Sequence, residues 1–145
     1  MSSSPDYKSS RVIIKVVVFS AFLFFLLPLI YAMEEGRVEL SFRQFSQKWM
    51  NSLQEREEKN KKNLTCKKAK NYYRAEYMGY SRAHSVTVKK TDYKKTPYLG
   101  ILSYKEKKFV CHAITFEGAL RGPFTVVYEC PVTELFVFSD GEWHY

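Results

Sequence analysis

The sequence predicts an α+β fold: an N-terminal transmembrane or signal segment, then one long amphipathic helix packed on a curved antiparallel β-sheet. Three observations carry this. Val16 to Met33 is an uncharged run of eighteen residues. Phe42, Phe45, Trp49 and Leu53 recur at helical spacing. From Leu64 onward, β-branched and aromatic runs alternate with turn residues. With 145 residues, 46% of them hydrophobic and 26% charged, the chain is globular in composition and holds one domain beside the apolar segment. A nucleotide-binding domain joined to a substrate domain does not fit in that length.

Residues 12–33 are long enough to span a bilayer, which takes ~20 apolar residues. Lys8, Arg11 and Lys15 flank one end, and Glu34 and Glu35 follow the other. The positive-inside bias then makes 1–11 a cytoplasmic tail, 12–33 a signal-anchor helix and 34–145 an extracytoplasmic α+β domain. The same residues also read as a signal peptide. Lys8 to Lys15 would be its charged region, Val16 to Leu27 its apolar region, and Ala32 the last residue before cleavage. Uncleaved, the chain sits in a membrane with its bulk outside. Cleaved, it is secreted or periplasmic. Both readings export 34–145.

The helix is predicted over Phe42–Lys59. Ser41 with Gln44 forms a capping box, and Leu40 with Phe45 a hydrophobic staple. Glu55–Lys59, Glu57–Lys61 and Glu58–Lys62 are i,i+4 pairs in the favourable order. Strands follow over Tyr72–Tyr80, around Val86-Thr87-Val88, and over Tyr98–Tyr104, Phe109–Phe116, Phe124–Cys130 and Thr133–Ser139. Lys105 to Lys108 reads as a turn, Glu117 to Pro123 as a loop and Pro131 as a break. Asp140-Gly141 is the strongest hairpin signal; it sets Phe138 opposite Trp143 and Phe136 opposite Tyr145. A turn at 105–108 and a hairpin about the Gly118–Gly122 loop set Cys111 opposite Cys130, the candidate disulfide. Cys66, flanked by Lys67 and Lys68, is then the odd cysteine and a candidate reactive thiol. The alternative architecture is a small SH3-like barrel carrying a helix.

The formal net charge is +8, and it is unevenly spread. Lys59 to Lys95 holds twelve basic residues against Glu76 and Asp92, whereas Phe109 to Tyr145 is net acidic. Lys67, Lys68, Lys70, Arg74, Lys89 and Lys90 are therefore the candidate anion- or partner-binding residues. Tyr72, Tyr73, Tyr77 and His84 are candidates for a pocket between helix and sheet. A solvated charged surface explains the same lysines without any partner.

Catalytic signatures are missing from the sequence: it contains no G-x-S-x-G, H-E-x-x-H, P-loop or Gly-rich dinucleotide turn. Cys66, Cys111, His112 and Cys130 lack the paired short spacings of a metal site. No cofactor and no metal is expected, and export argues against nucleic acid. Asn63-Leu64-Thr65 matches the N-glycosylation acceptor pattern.

The general plan, one N-terminal membrane segment followed by a long helix and a curved antiparallel sheet, resembles export-apparatus subunits with an NTF2-like domain; a cystatin-like domain shares it. The resemblance implies a fold and no activity. The first expectation is a small, non-enzymatic extracytoplasmic binding or assembly module. Its basic middle would meet another envelope protein or an anionic lipid or glycan. A small-ligand or enzymatic cleft, and a thiol-active protein using Cys66, are the competing readings.

Overall fold

A computed structural model describes the backbone from Ser9 onward and the side chains from Met33 onward. Apart from Met33, the predicted membrane or signal segment lies outside the residues whose side chains are described. Among the described residues no helix is long and apolar enough to cross a membrane.

Helix α1 covers Ser9–Lys62. The predicted helix lies inside it, but its predicted start does not exist. Ser41 sits in mid-helix, where backbone N–H groups already have intrahelical partners, so neither the capping box nor the staple has a terminus to close. Leu40, one half of that staple, is exposed. The Ser41 hydroxyl instead accepts a hydrogen bond from Trp143 Nε1 at 3.0 Å. The apolar stripe behaves as expected: Phe42, Met50 and Leu53 are buried, with Phe45 and Trp49 half-buried beside them.

Six strands follow: β1 (Thr65–Lys68), β2 (Tyr73–Tyr80), β3 (Ser85–Lys90), β4 (Tyr98–Ala113), β5 (Thr125–Ser139) and β6 (Glu142–His144), with a short helix α2 (Phe116–Arg121) between β4 and β5. They form one antiparallel sheet in the order β1-β2-β4-β5-β6, and β3 pairs with the first half of β4. The sheet is a curved half-barrel with β1 and β6 at its two ends, so the closed small-barrel alternative is not formed.

The curvature shows in which residues meet α1. Gly100 lies against the Phe42 ring, whereas Gly79, paired with Lys107, lies against the Glu57 carboxylate. Cross-strand partners share a face, so the helix-facing parity along β4 changes between Gly100 and Lys107. The change falls where β2 ends and β3 begins. Phe42 is fully buried at the centre of an aromatic cluster, 4.5 Å from the Trp143 ring and 6.0 Å from Phe136.

The structure corrects three sequence expectations. Lys105 to Lys108 is not a turn but the middle of β4. Pairing on both sides holds it extended: Lys105 and Lys107 reach Glu129 on β5, and Lys108 reaches Glu76 on β2. Pro131 does not break the following strand. Lys105 gives its backbone N–H to Ser81 Oγ and accepts from the Ser81 N–H, so at the Lys105–Pro131 pair the backbone of β4 points away from β5. The donor that proline lacks therefore falls on the open edge of β5, where no ladder bond needs it. The third correction concerns the cysteines. Because β4 is continuous, Cys111 pairs with Ala75 and Cys130 with Glu106. The candidate disulfide is not formed, and all three cysteines are free thiols.

The Gly118–Gly122 loop is also more ordered than expected. Thr115 caps α2, its hydroxyl accepting from the Gly118 N–H at 3.1 Å, and a cis peptide at Gly122-Pro123 leads into β5. The Asp140-Gly141 hairpin has the expected register. Ser139 pairs with Glu142 and Phe138 with Trp143, while the Phe136 and Tyr145 rings lie 5.7 Å apart. Asp140 and Gly141 both have positive φ, 53° and 84°, as a two-residue turn between twisted strands requires.

Candidate functional site

The register sorts the six predicted cations into two groups. Lys67 pairs with Arg74, which pairs with His112; Lys68 pairs with Tyr73, which pairs with Ala113. Lys70 lies in the β1–β2 turn, closed by a hydrogen bond from Ala69 N to Tyr72 O at 2.8 Å. These four stand at one end of the sheet. Lys90 pairs with Tyr98 at the other end of β4. Tyr98 and His112 are fourteen residues apart, about 45 Å of extended strand at ~3.3 Å per residue. Lys89 and Lys90 therefore belong to a different surface, and the six do not form one patch.

Local charge sorts the first group further. Arg74 is spent on Glu76, Nη2 to Oε2 at 3.0 Å, and Lys108 holds the other carboxylate oxygen at 3.0 Å. The Lys108 hydrogen bond, helped by the charges of Lys108, Arg74 and Lys67, holds the Glu76 carboxyl below the usual carboxylate range. Lys67 and Lys70 are exposed and, among the described residues, neither is in ion-pairing contact with a carboxylate, although the Lys67 charge acts on Glu76 from a greater distance. Lys68 is exposed too, its ammonium 5.8 Å from the Tyr73 ring centre.

Apolar side chains stand among these lysines. The β4–α2 connection runs beside the β1–β2 turn at this end, and Ile114 on it is 85% exposed. Phe116 is 44% and Tyr72 43% exposed. The Phe116 ring meets Tyr73 edge-on at 5.8 Å, and Tyr72 meets His112 edge-on at 5.2 Å. We call this end the tip. It joins Lys67, Lys68 and Lys70 to Tyr72, Ile114 and Phe116. The lysines were legible in the sequence; Ile114 and Phe116 were not, because they read as the end of a strand.

The predicted pocket is not assembled. Tyr72 and Tyr73 are at the tip. Tyr77 stacks on Phe109 at 4.7 Å with the Lys61 ammonium 5.8 Å from its ring, and lines a polar cleft of about 210 Å³ with Asn60, Glu76 and Lys108. Partial burial pushes the Tyr77 hydroxyl up in pKa. His84 lies in the break between β2 and β3, in a shallow depression of about 490 Å³ with Ser81, Ser103 and Lys105. Strand alternation and that break separate residues that are close in sequence. A larger cleft, about 620 Å³, opens between α1 and the sheet; Glu55, Glu57 and Glu58 line one wall, and Arg82, Lys107 and Phe109 the other. Glu57 is engaged there, accepting from the Tyr80 N–H at 3.0 Å.

Cys66 is half-buried on β1, next to Ala75, and Cys130 is half-buried on β5. Among the described residues no group of three or more His, Cys, Asp or Glu could hold a metal ion.

No protein-family model, no curated protein and no solved structure matches this chain.

Proposed function

We propose that this chain is a non-enzymatic binding or assembly module of the extracytoplasmic side, and that the tip is its contact with an anionic partner. One observation carries the reading: among the described residues Lys67, Lys68 and Lys70 are exposed together with no carboxylate in ion-pairing contact, while Arg74 and Lys108 share Glu76, and Lys105 and Lys107 share Glu129. Cations free of a carboxylate attract a polyanion more strongly than cations that already share one. The helix cradled by a half-barrel sheet supports an NTF2-like or cystatin-like plan, which hosts binding modules as readily as enzymes. Residues 12–33 would hold the module at the membrane or export it.

The test is retention on immobilised heparin. The chain is expected to need more salt for elution than its Lys67→Glu/Lys70→Glu variant, whereas the charge-matched Lys94→Glu/Lys95→Glu variant elutes close to the parent. Equal elution of both variants makes the tip lysines mere solubilising charge.

A second reading rests on the 620 Å³ cleft, which faces acidic groups on α1 toward basic groups on the sheet. It would suit a small dipolar ligand. Chemical-shift changes confined to Glu55, Glu58, Arg82 and Lys107 in a ligand screen would favour it over the tip.

A further inference from the structure

The apolar side chains of the tip narrow the class of partner. Starting from the reading of the tip as an anion-binding surface, and resting on it, we propose that the tip docks on a lipid bilayer bearing anionic headgroups, with Ile114, Phe116 and Tyr72 entering the headgroup region and Lys67, Lys68 and Lys70 lying among the lipid phosphates.

Three observations point this way. The first is composition. A soluble polyanion such as an acidic glycan satisfies lysines but offers nothing to an isoleucine that is 85% exposed. A bilayer interface offers both: anionic headgroups outside, hydrocarbon a few ångströms deeper. The second is shape. Ile114 stands on the connection between β4 and α2, Phe116 at the first position of α2, and Tyr72 on a turn. Ile114 stands out into solvent at 85% exposure, and Phe116 and Tyr72 expose nearly half of their surface beside it. Protruding apolar groups suit a deformable medium better than a rigid protein surface. The third is arrangement. Lys68, Tyr73 and Phe116 lie on the side of the sheet covered by α2, and Lys67, Arg74, His112 and Tyr72 on the other. Lysines thus flank the apolar residues on both sides, so long ammonium-tipped chains could reach phosphates around an inserted centre. Of the carboxylates nearby, Glu76 is held by Arg74 and Lys108, which leaves Glu117 in the first turn of α2 as the single opposing charge on these segments.

The experiment reads the tip alone, and so is insensitive to how residues 12–33 associate with lipid. The full chain is reconstituted in vesicles of neutral phosphatidylcholine, or of the same lipid with about 30 mol % phosphatidylserine. Hydrogen–deuterium exchange is read over 69–72 and 113–117. Exchange in these two segments is expected to slow several-fold in the anionic vesicles alone, with 91–97 unchanged. The protection is expected to vanish in about 0.5 M salt, where screening is within a few ångströms. The Lys67→Glu/Lys70→Glu variant should lose it, since each lysine near such a surface contributes about fivefold in partition. Ile114→Ser should weaken it about tenfold. In Ile114→Trp, brominated acyl chains should quench an added component of the emission in anionic vesicles only.

Equal exchange of the tip in neutral and anionic vesicles overturns the proposal. If heparin retention still depends on Lys67 and Lys70 in that case, the tip binds a soluble polyanion or acidic protein, and only the bilayer is excluded. If heparin retention also ignores those lysines, the reading of the tip as an anion site fails with it. Protection that depends on Lys67 and Lys70 but survives Ile114→Ser overturns the insertion and leaves surface adsorption by charge.

Discussion

Gly100 is the position where a single methyl group should be felt most. It lies on β4 directly beneath Phe42, and a Cβ placed there would overlap the ring, 2.5 Å from Cζ and 2.7 Å from Cδ2. Neither side can yield readily. The backbone of Gly100 is paired with Val88 on β3 and Phe136 on β5. The Phe42 ring is fully buried and boxed by Trp143 at 4.5 Å and Phe136 at 6.0 Å. Overpacking a tight core costs about 1–3 kcal/mol, and this site belongs at the upper end. Replacing a strand glycine returns about 0.5 kcal/mol of conformational entropy. Gly100→Ala should therefore destabilise the domain by about 2 kcal/mol, or lower Tm by about 10 °C for a domain near a hundred residues. Urea unfolding followed by tryptophan emission reads this directly, because Trp143 touches the Phe42 ring. The decisive control is Phe42→Leu, which shortens the ring side and makes room. In the double variant the two losses should fall short of additivity by at least ~1 kcal/mol. A Gly100→Ala variant within about 0.5 kcal/mol of the parent, or strictly additive losses, would refute the packing of α1 on β4.

The remaining predictions concern other parts of the fold. Ser41→Ala removes the acceptor of the Trp143 indole N–H and should cost about 1 kcal/mol in the same unfolding assay; the Asn60→Ala change, which removes a donor to Met78 O at the far end of the helix, should cost a similar amount independently. The intact mass should be the same before and after reduction, and a maleimide should modify Cys66 and Cys130 well before buried Cys111; a reducible mass shift would contradict the β4 register. Glu76 has its pKa lowered chiefly by the Lys108 hydrogen bond, so its stabilisation is full above the unfolded carboxylate value of ~4.3 and is lost as pH falls through the folded value. The stability gap between the parent and Glu76→Gln should accordingly be largest at neutral pH and close as the pH drops below about 4.

Much of this architecture was legible along the chain, because it is written in local patterns. The 3-4-4 spacing of Phe42, Phe45, Trp49 and Leu53 requires a helix with one buried stripe. Asp140-Gly141 can hardly be anything other than a two-residue turn, since both residues tolerate positive φ, and that turn fixes Phe138 against Trp143. Clustered lysines from Lys67 to Lys70 identify a basic region whatever the fold.

Tertiary structure alone decided the rest. A polar run such as Lys105 to Lys108 has the composition of a turn, and only its pairing with β5 and β2, with ion pairs to Glu129 and Glu76 on those strands, keeps it extended. Pro131 forbids a ladder bond, and only the pairing of Lys105 with Ser81 shows that the forbidden side faces an open edge. The continuity of β4 then moved Cys111 and Cys130 apart and sent Lys89 and Lys90 to the far end of the sheet, while strand alternation and the β2–β3 break kept Tyr77 and His84 away from Tyr72 and Tyr73. It also brought Ile114 and Phe116 to the lysines of the β1–β2 turn, some forty residues away in sequence. Composition and periodicity act over a few residues, whereas a strand register carries one pairing along its whole length. The residue types present, and therefore the chemistry available, came from the sequence; which of them meet came from a register that no local signal contains.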